Sequence, residues 1–108
     1  MKGAPFEEMS GLDRLVHDPS RLAILTALAA CRQADFQFLQ SLTGLTKGNL
    51  SGHLIELERA ELVDITKSFR GKYPHTSVEL TPAGSSAIRR HWKRLDSASV
   101  RRSRGRSR

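Results

Sequence analysis

Hydrophobic and polar positions along this chain follow two rhythms. At about 100° per residue, Leu50, Leu54, Leu57 and Leu62 share one stripe and Leu45 is aimed the same way, which predicts a helix over 46–60 with one core-facing side. Just upstream, Asp35 to Gly44 reads as a shorter helix, with Asp35 as its N-cap and Phe36, Leu39 and Leu42 spaced for one face. Gly44 can take the left-handed conformation that ends a helix and Thr46 can cap the next one, so the two helices are joined by only about three residues. After Leu62 the period drops to two. Leu62 to Phe69 and Thr76 to Thr81 are rich in β-branched residues and put Val63, Ile65, Val78 and Leu80 on one face, the pattern of a hairpin. Its connection, Arg70 to His75, holds Gly71 for a turn and Pro74 to stiffen it.

The flanks add helices. Ser10 to Val16 carries Leu12, Leu15 and Val16 on one side, and Asp18-Pro19 breaks the helix because the residue before proline is biased out of the α region. From Pro19 to Ala30, Leu22, Ile24, Leu25 and Leu28 predict a largely buried helix beneath 46–60, with Arg21 expected to reach an acid or a phosphate. Thr81 and Pro82 open a last helix through Ala87, Ile88, Trp92 and Leu95. A three-helix core closed by its own hairpin has little apolar surface left for that stripe to cover. Ile88, Trp92 and Leu95, with Leu12, Leu15 and Val16, are therefore expected to line a two-fold interface with a second copy. Packing across the back of the domain within one chain is the competing arrangement. The predicted architecture is mainly α with a small β-hairpin (α+β). It comprises a flexible N-terminus over 1–9, one domain over 10–97 and an arginine-rich tail over 98–108.

The outer face of helix 46–60 carries Gly48, Asn49, Ser51, Gly52, Ile55, Glu56 and Arg59. A glycine inside a helix costs about 1 kcal/mol, a cost tolerated where something must come close. Asn49 and Ser51 offer short arms to base edges or phosphates, and the second helix of such a closely joined pair is the one that enters a DNA groove. A plain amphipathic surface helix with accidental glycines is the alternative. His53 lies about 60° from the leucine stripe and reads as a half-buried packing residue able to touch a phosphate. Arg70, Lys72 and His75 make the hairpin connection basic, which suits backbone or minor-groove contact or simply a solvated loop.

LSGHLIELERAELV, the hairpin after it and ELTPAG together resemble the winged-helix transcriptional regulators of the MarR and ArsR type, in their small stand-alone form. The leading LDRLVHDPSRLAILTAL is similar to that family's opening DPxRLxIL segment, so the resemblance runs from about Leu12 to Leu95. It implies a winged helix-turn-helix with a three-helix core, a wing and a C-terminal dimerisation helix. It further implies a homodimeric, sequence-specific regulator of double-stranded DNA, a repressor by default, with the helix around Lys47 to Glu56 in the major groove. The candidate contacts are Thr46, Lys47, Gly48, Asn49, Ser51, Gly52, His53 and Arg59 on that helix and Arg70, Lys72 and His75 on the wing. Metal-sensing members of the ArsR group carry a cysteine pair near the reading helix, and this chain has none there, which argues against thiolate metal sensing.

Composition narrows the choice further. At 108 residues and 38% hydrophobic content the chain has material for one modest core. No apolar run approaches the roughly 20 residues that span a bilayer, residues 1–11 lack the apolar stretch of a signal peptide, and one cysteine suits a reducing compartment, so the cytoplasm is the expected location. Cys31 reads as a small buried hydrophobe near a helix end, a redox thiol being the alternative. His17, His53, His75 and His91 stand too far apart in sequence for a ligand motif, so no metal or cofactor is expected. The chain also has none of the phosphate loops, HExxH pairs or nucleophile motifs that mark enzymes.

Of the net charge of +7, five units come from Arg101, Arg102, Arg104, Arg106 and Arg108. With no apolar residue to bury, that tail is expected to be disordered, trailing along phosphates or merely aiding solubility. A rival reading follows: a winged helix used for protein contacts through Ile55 and Glu56, with nonspecific nucleic-acid binding by the tail.

Overall fold

A computed structural model describes the backbone of residues 11–106 and the side chains of residues 11 and 14–94. The N-terminus expected to be flexible, 1–9, and the side chains of Leu12 and Leu95 lie outside the described residues. Along the chain come α1 (Gly11–His17), α2 (Pro19–Cys31), β1 (Gln33–Asp35), α3 (Phe36–Thr43), α4 (Lys47–Arg59), β2 (Val63–Arg70), β3 (Tyr73–Leu80) and α5 (Pro82–Arg106).

Helices α2 to α5 each begin where the sequence supplies a cap. Asp18 follows the break after α1, and its Oδ1 accepts from the backbone N–H groups of Ser20 at 2.9 Å and Arg21 at 3.1 Å. Asp35 does the same for α3, accepting from the Phe38 N–H at 2.7 Å. Such caps satisfy donors that the helix leaves orphaned and contribute about 1 kcal/mol each. α2 lies at the centre, with Ile24, Leu25 and Leu28 fully buried and neighbours in all four other helices, β1 and β3. Leu39 from α3, Leu50, Leu54 and Leu57 from α4, and Leu62, Val63 and Val78 complete the core.

The sheet has three strands in the order β1-β3-β2, all antiparallel. The first was not foreseen: three residues are too few to show a period, yet Ala34 is buried opposite Val78. The expected hairpin forms, with Val63 paired with Leu80 and Ile65 with Val78, and it is longer than the pattern suggests. Phe69 pairs with Pro74 and Arg70 with Tyr73, so the turn shrinks to Gly71 and Lys72, with Gly71 at φ 63°. Pro74 thus belongs to a strand and not to the connection. Because β1 reaches only as far as Ser77, no neighbour awaits an N–H on the open side of β3 at Pro74, the setting in which a strand tolerates proline.

Where α4 ends, Leu62 N–H bonds to Leu57 O at 3.0 Å and Glu61 N–H to Glu58 O at 2.9 Å, with Glu61 at φ 64°. This is the Schellman arrangement, with buried Leu57 and Leu62 as its apolar partners. Thr81 ties the start of α5 to that end: its hydroxyl donates to Glu61 O at 2.7 Å and accepts from Gly84 N–H at 2.9 Å. The Thr81 N–H adds a bond to Leu62 O at 3.0 Å.

Several expectations need correction. Val16 and Ile88 are each only 3% exposed and pack into the chain's own core, so they are not free to line a two-fold interface. The cause is that α1 and α5 pack on one another and on α2. Leu15 is half-buried against the same core, and Trp92 stays 42% exposed. Leu42, assigned to the inner face of α3, is 52% exposed, and Cys31 is exposed, not buried. α5 remains helical to Arg106, past the boundary at residue 98 where composition suggested a disordered tail. The stretch contains no proline, arginine is a good helix former, and extending an existing helix is far cheaper than nucleating one.

Candidate nucleic-acid interface

The turn between α3 and α4 is built from short-range bonds. Gly44 takes φ 71° and gives its N–H to Gln40 O at 2.9 Å, which ends α3. The Thr43 hydroxyl donates to Leu39 O at 2.8 Å and accepts from Leu45 N–H at 3.3 Å, which holds Leu45 half-buried against the core. Thr46 then caps α4 by accepting from Asn49 N–H at 3.1 Å. The three residues between the helices set the angle at which α4 leaves the core, and the buried stripe of Leu50, Leu54 and Leu57 fixes which side looks out.

That outer side carries Thr46, Lys47, Gly48, Asn49, Gly52 and Arg59 as exposed residues, with Ser51 and His53 half-buried at its margins. A Cβ built at Gly48 or Gly52 meets nothing within 4 Å, so neither glycine is required by packing inside the protomer. Arg59 is paired with Glu56 at 3.5 Å, both exposed, and a surface pair of this kind is weak enough to open for another partner. Ile55, 47% exposed, adds an apolar patch to the same side.

His53 is held from behind. Arg21 Nε donates to its Nδ1 at 3.1 Å while the same guanidinium reaches Leu15 O at 3.4 Å. The expectation that Arg21 meets an acid or a phosphate is therefore replaced by a bond between α2 and α4. Since a guanidinium only donates, His53 Nδ1 accepts and the ring's proton sits on Nε2.

The hairpin extends beyond the core as a ribbon with Arg70 and Lys72 exposed at its end and His75 half-buried. Arg70 donates to His75 Nε2 at 3.2 Å across the ribbon, which holds the tip's two strands together. Phe69 and Tyr73 are 71% and 74% exposed there, a pair of aromatics not foreseen as functional although the composition of the strand contains them. Between α4 and the hairpin runs a cleft of about 220 Å³ lined by Lys47 and Ser51 on one side and Lys67 and Thr76 on the other. The candidate residues thus fall into two groups, the open side of α4 and the wing tip, with this cleft between them. Lys67 and Thr76 were missed. The available signal was a lysine on the same face of the period-two strand as Val63 and Ile65, exposed where the ribbon leaves the core.

Three helices capped and joined in this way, a sheet completed by a two-stranded wing, and an open helix face beside basic residues define a winged helix of the DNA-binding class. The chain belongs to the winged helix DNA-binding domain family, whose model matches residues 20–98. It is similar to the transcriptional regulator homologue protein of Pyrococcus horikoshii OT3, at 34% identity and a TM-score of 0.74 over 79% of this chain and 84% of that one. It shares its fold with NadR, solved in complex with 4-hydroxyphenylacetate (22% identity, TM-score 0.69, covering 89% of this chain and 67% of that one). The same holds for ytfH, a transcriptional-regulator candidate of Salmonella typhimurium (23% identity, TM-score 0.67, covering 97% and 100%). The comparison with curated proteins found no match. The family is one of DNA-binding regulators and not of enzymes. Among the described residues no helix is long and apolar enough to cross a membrane.

Proposed function

We propose that this protein is a sequence-specific regulator of transcription that binds double-stranded DNA as a homodimer in the cytoplasm. α4 enters the major groove, where Asn49 and Ser51 read base edges and Lys47 and Thr46 meet the backbone. Gly48 and Gly52 let the helix axis approach the groove floor. Arg70, Lys72 and His75 hold the adjacent backbone or minor groove from the wing. The observation that carries this reading is the emptiness around Gly48 and Gly52: the helix bears two destabilising residues that nothing inside the protomer demands. Trp92, 42% exposed on a long terminal helix, supports a partner copy, with Leu15 at its margin. Two-fold symmetry would set two reading helices in successive major grooves about 10 base pairs apart on a palindromic site. Occupying such a site excludes other proteins from it, so repression is the simplest outcome.

The test is selection from a randomised duplex pool at about 150 mM salt, a concentration at which nonspecific attraction is largely screened. Full-length protein is compared with a truncation ending at Ala98 and with Asn49→Ala. Recovery of one palindromic motif by the first two and its loss by the third supports the regulator. The exposure of Ile55 and Glu56 favours a second reading, a protein-binding winged helix with nonspecific attraction to nucleic acid through the arginine-rich segment. In that case no motif emerges and truncation abolishes binding.

A further inference from the structure

The cleft between α4 and the wing is where two surfaces meet that, on the proposed function, occupy different grooves of one duplex. A helix in the major groove and a ribbon over the neighbouring minor groove leave one thing to pass between them: the sugar-phosphate strand that separates those grooves. The residues at the seam suit it. Lys47 lies at the start of α4 and Ser51 one turn further along the same row. Lys67 faces them from β2, directly across the ribbon from Thr76 in the register of the sheet. Phe36, Leu54, Ile55 and Ile65 supply the apolar remainder of the lining.

On its face of β2, Val63 is buried and Ile65 half-buried, and from there on the strand leaves the core, so Lys67 is exposed where the ribbon passes α4. Among the described residues neither Lys47 nor Lys67 has a carboxylate at ion-pair distance, so both ammonium groups are available to an outside anion. Two cations and two hydroxyls around a cleft of about 220 Å³ offer charge and hydrogen-bond donors to the phosphodiester oxygens of a passing strand. We propose that this cleft is a backbone-phosphate site, in which Lys67 and Thr76 join Lys47 and Ser51 in clamping the DNA strand between the reading helix and the wing. The clamp fixes the register of α4 in its groove without itself reading sequence.

This inference rests on the proposed function and is tested beside it. Lys67→Met keeps the aliphatic stem and removes the charge, and its thermal unfolding midpoint serves as the folding control. Binding to the selected duplex and to an unrelated one is measured across salt concentrations, and then to selected duplexes carrying single neutral methylphosphonates at successive positions. Lys67→Met is expected to weaken both duplexes about fivefold at 150 mM salt and to lower the salt slope by about 1.8, one phosphate contact being lost from each protomer of the dimer. Wild type should show a pair of symmetry-related positions where a methylphosphonate weakens binding, and the variant should have lost its sensitivity there. An unchanged slope and an unchanged methylphosphonate profile in Lys67→Met, with Asn49→Ala still destroying discrimination, would overturn the clamp and leave the regulator standing. If Asn49→Ala also changes nothing, the regulator reading itself fails and the clamp falls with it.

Discussion

Glycine serves opposite ends in two parts of this molecule. At the joint between α4 and α5 the backbone is crowded: a Cβ at Gly84 would overlap the Leu62 carbonyl oxygen and come within 2.8 Å of Leu80 Cδ1. On the outer side of α4, Gly48 and Gly52 look into open space. The first glycine is demanded by the protomer's own packing. The other two weaken the helix they sit in and return nothing to the fold. A residue that folding does not need points to a partner outside the chain, and the two regions therefore predict mutational responses of opposite sign.

The largest effect belongs to the crowded end. Gly84→Ala should destabilise the protein by about 3 kcal/mol, because the obstructing atom is backbone and cannot rotate away. The unfolding midpoint would fall by roughly 12 to 24 °C in a domain of this size. The same displacement would disturb the Thr81 bridge to Glu61, so the loss should appear in thermal melts before any DNA is added. A Tm within about 4 °C of wild type would show that the joint has slack and would erase the contrast.

At the open end the sign reverses. Gly48→Ala and Gly52→Ala should each stabilise the free protein by about 1 kcal/mol, since neither new methyl group meets an obstacle and alanine is the better helix former. Together they should raise Tm by roughly 8 to 16 °C while weakening binding to the selected duplex more than to an unrelated one. Stability gained with discrimination intact would mean that the glycines are accidental and that α4 does not press close to a groove floor. Melting curves and competition binding on the same preparation decide it.

The elements that could be read from sequence are those whose causes are local. Asp35, Gly44 and Thr46 each act within a few residues of themselves, as Thr81 does in capping α5, and each takes the capping or turn role its chemistry suggests; the bridge from Thr81 to Glu61, 20 positions away, was not among the local signals. The leucine stripe of α4 likewise reports its own burial. What escaped depends on neighbours distant in the chain. β1 exists because β3 offers an edge to three residues with no pattern of their own. Val16 and Ile88 look available for a partner until α1 and α5 are seen to meet on α2. Of the candidate site, the face of α4 and the basic tip were legible as residue types. The cleft joining them needed the register that sets Lys67 opposite Thr76, and the bond from Arg21 to His53 spans 32 positions.

The smallest predicted change lies between the two regions, at Glu61. Its φ of 64° puts a side chain where L-residues rarely go, at the position of a Schellman motif that glycine prefers. A non-glycine residue there costs about 1 kcal/mol, part of which is recovered because glutamate has less unfolded freedom to lose than glycine. Glu61→Gly should therefore stabilise by at most about 0.5 kcal/mol, visible as a slightly higher denaturant midpoint at unchanged slope. The carbonyl that accepts from Thr81 belongs to the backbone and survives the substitution, so the joint keeps its bridge. DNA discrimination should not move, because Glu61 follows α4 at the end opposite Thr46 and Asn49. A loss of stability would mean that the Glu61 side chain itself holds the joint. The crowding that makes Gly84 indispensable would then extend further along the chain than the backbone alone implies.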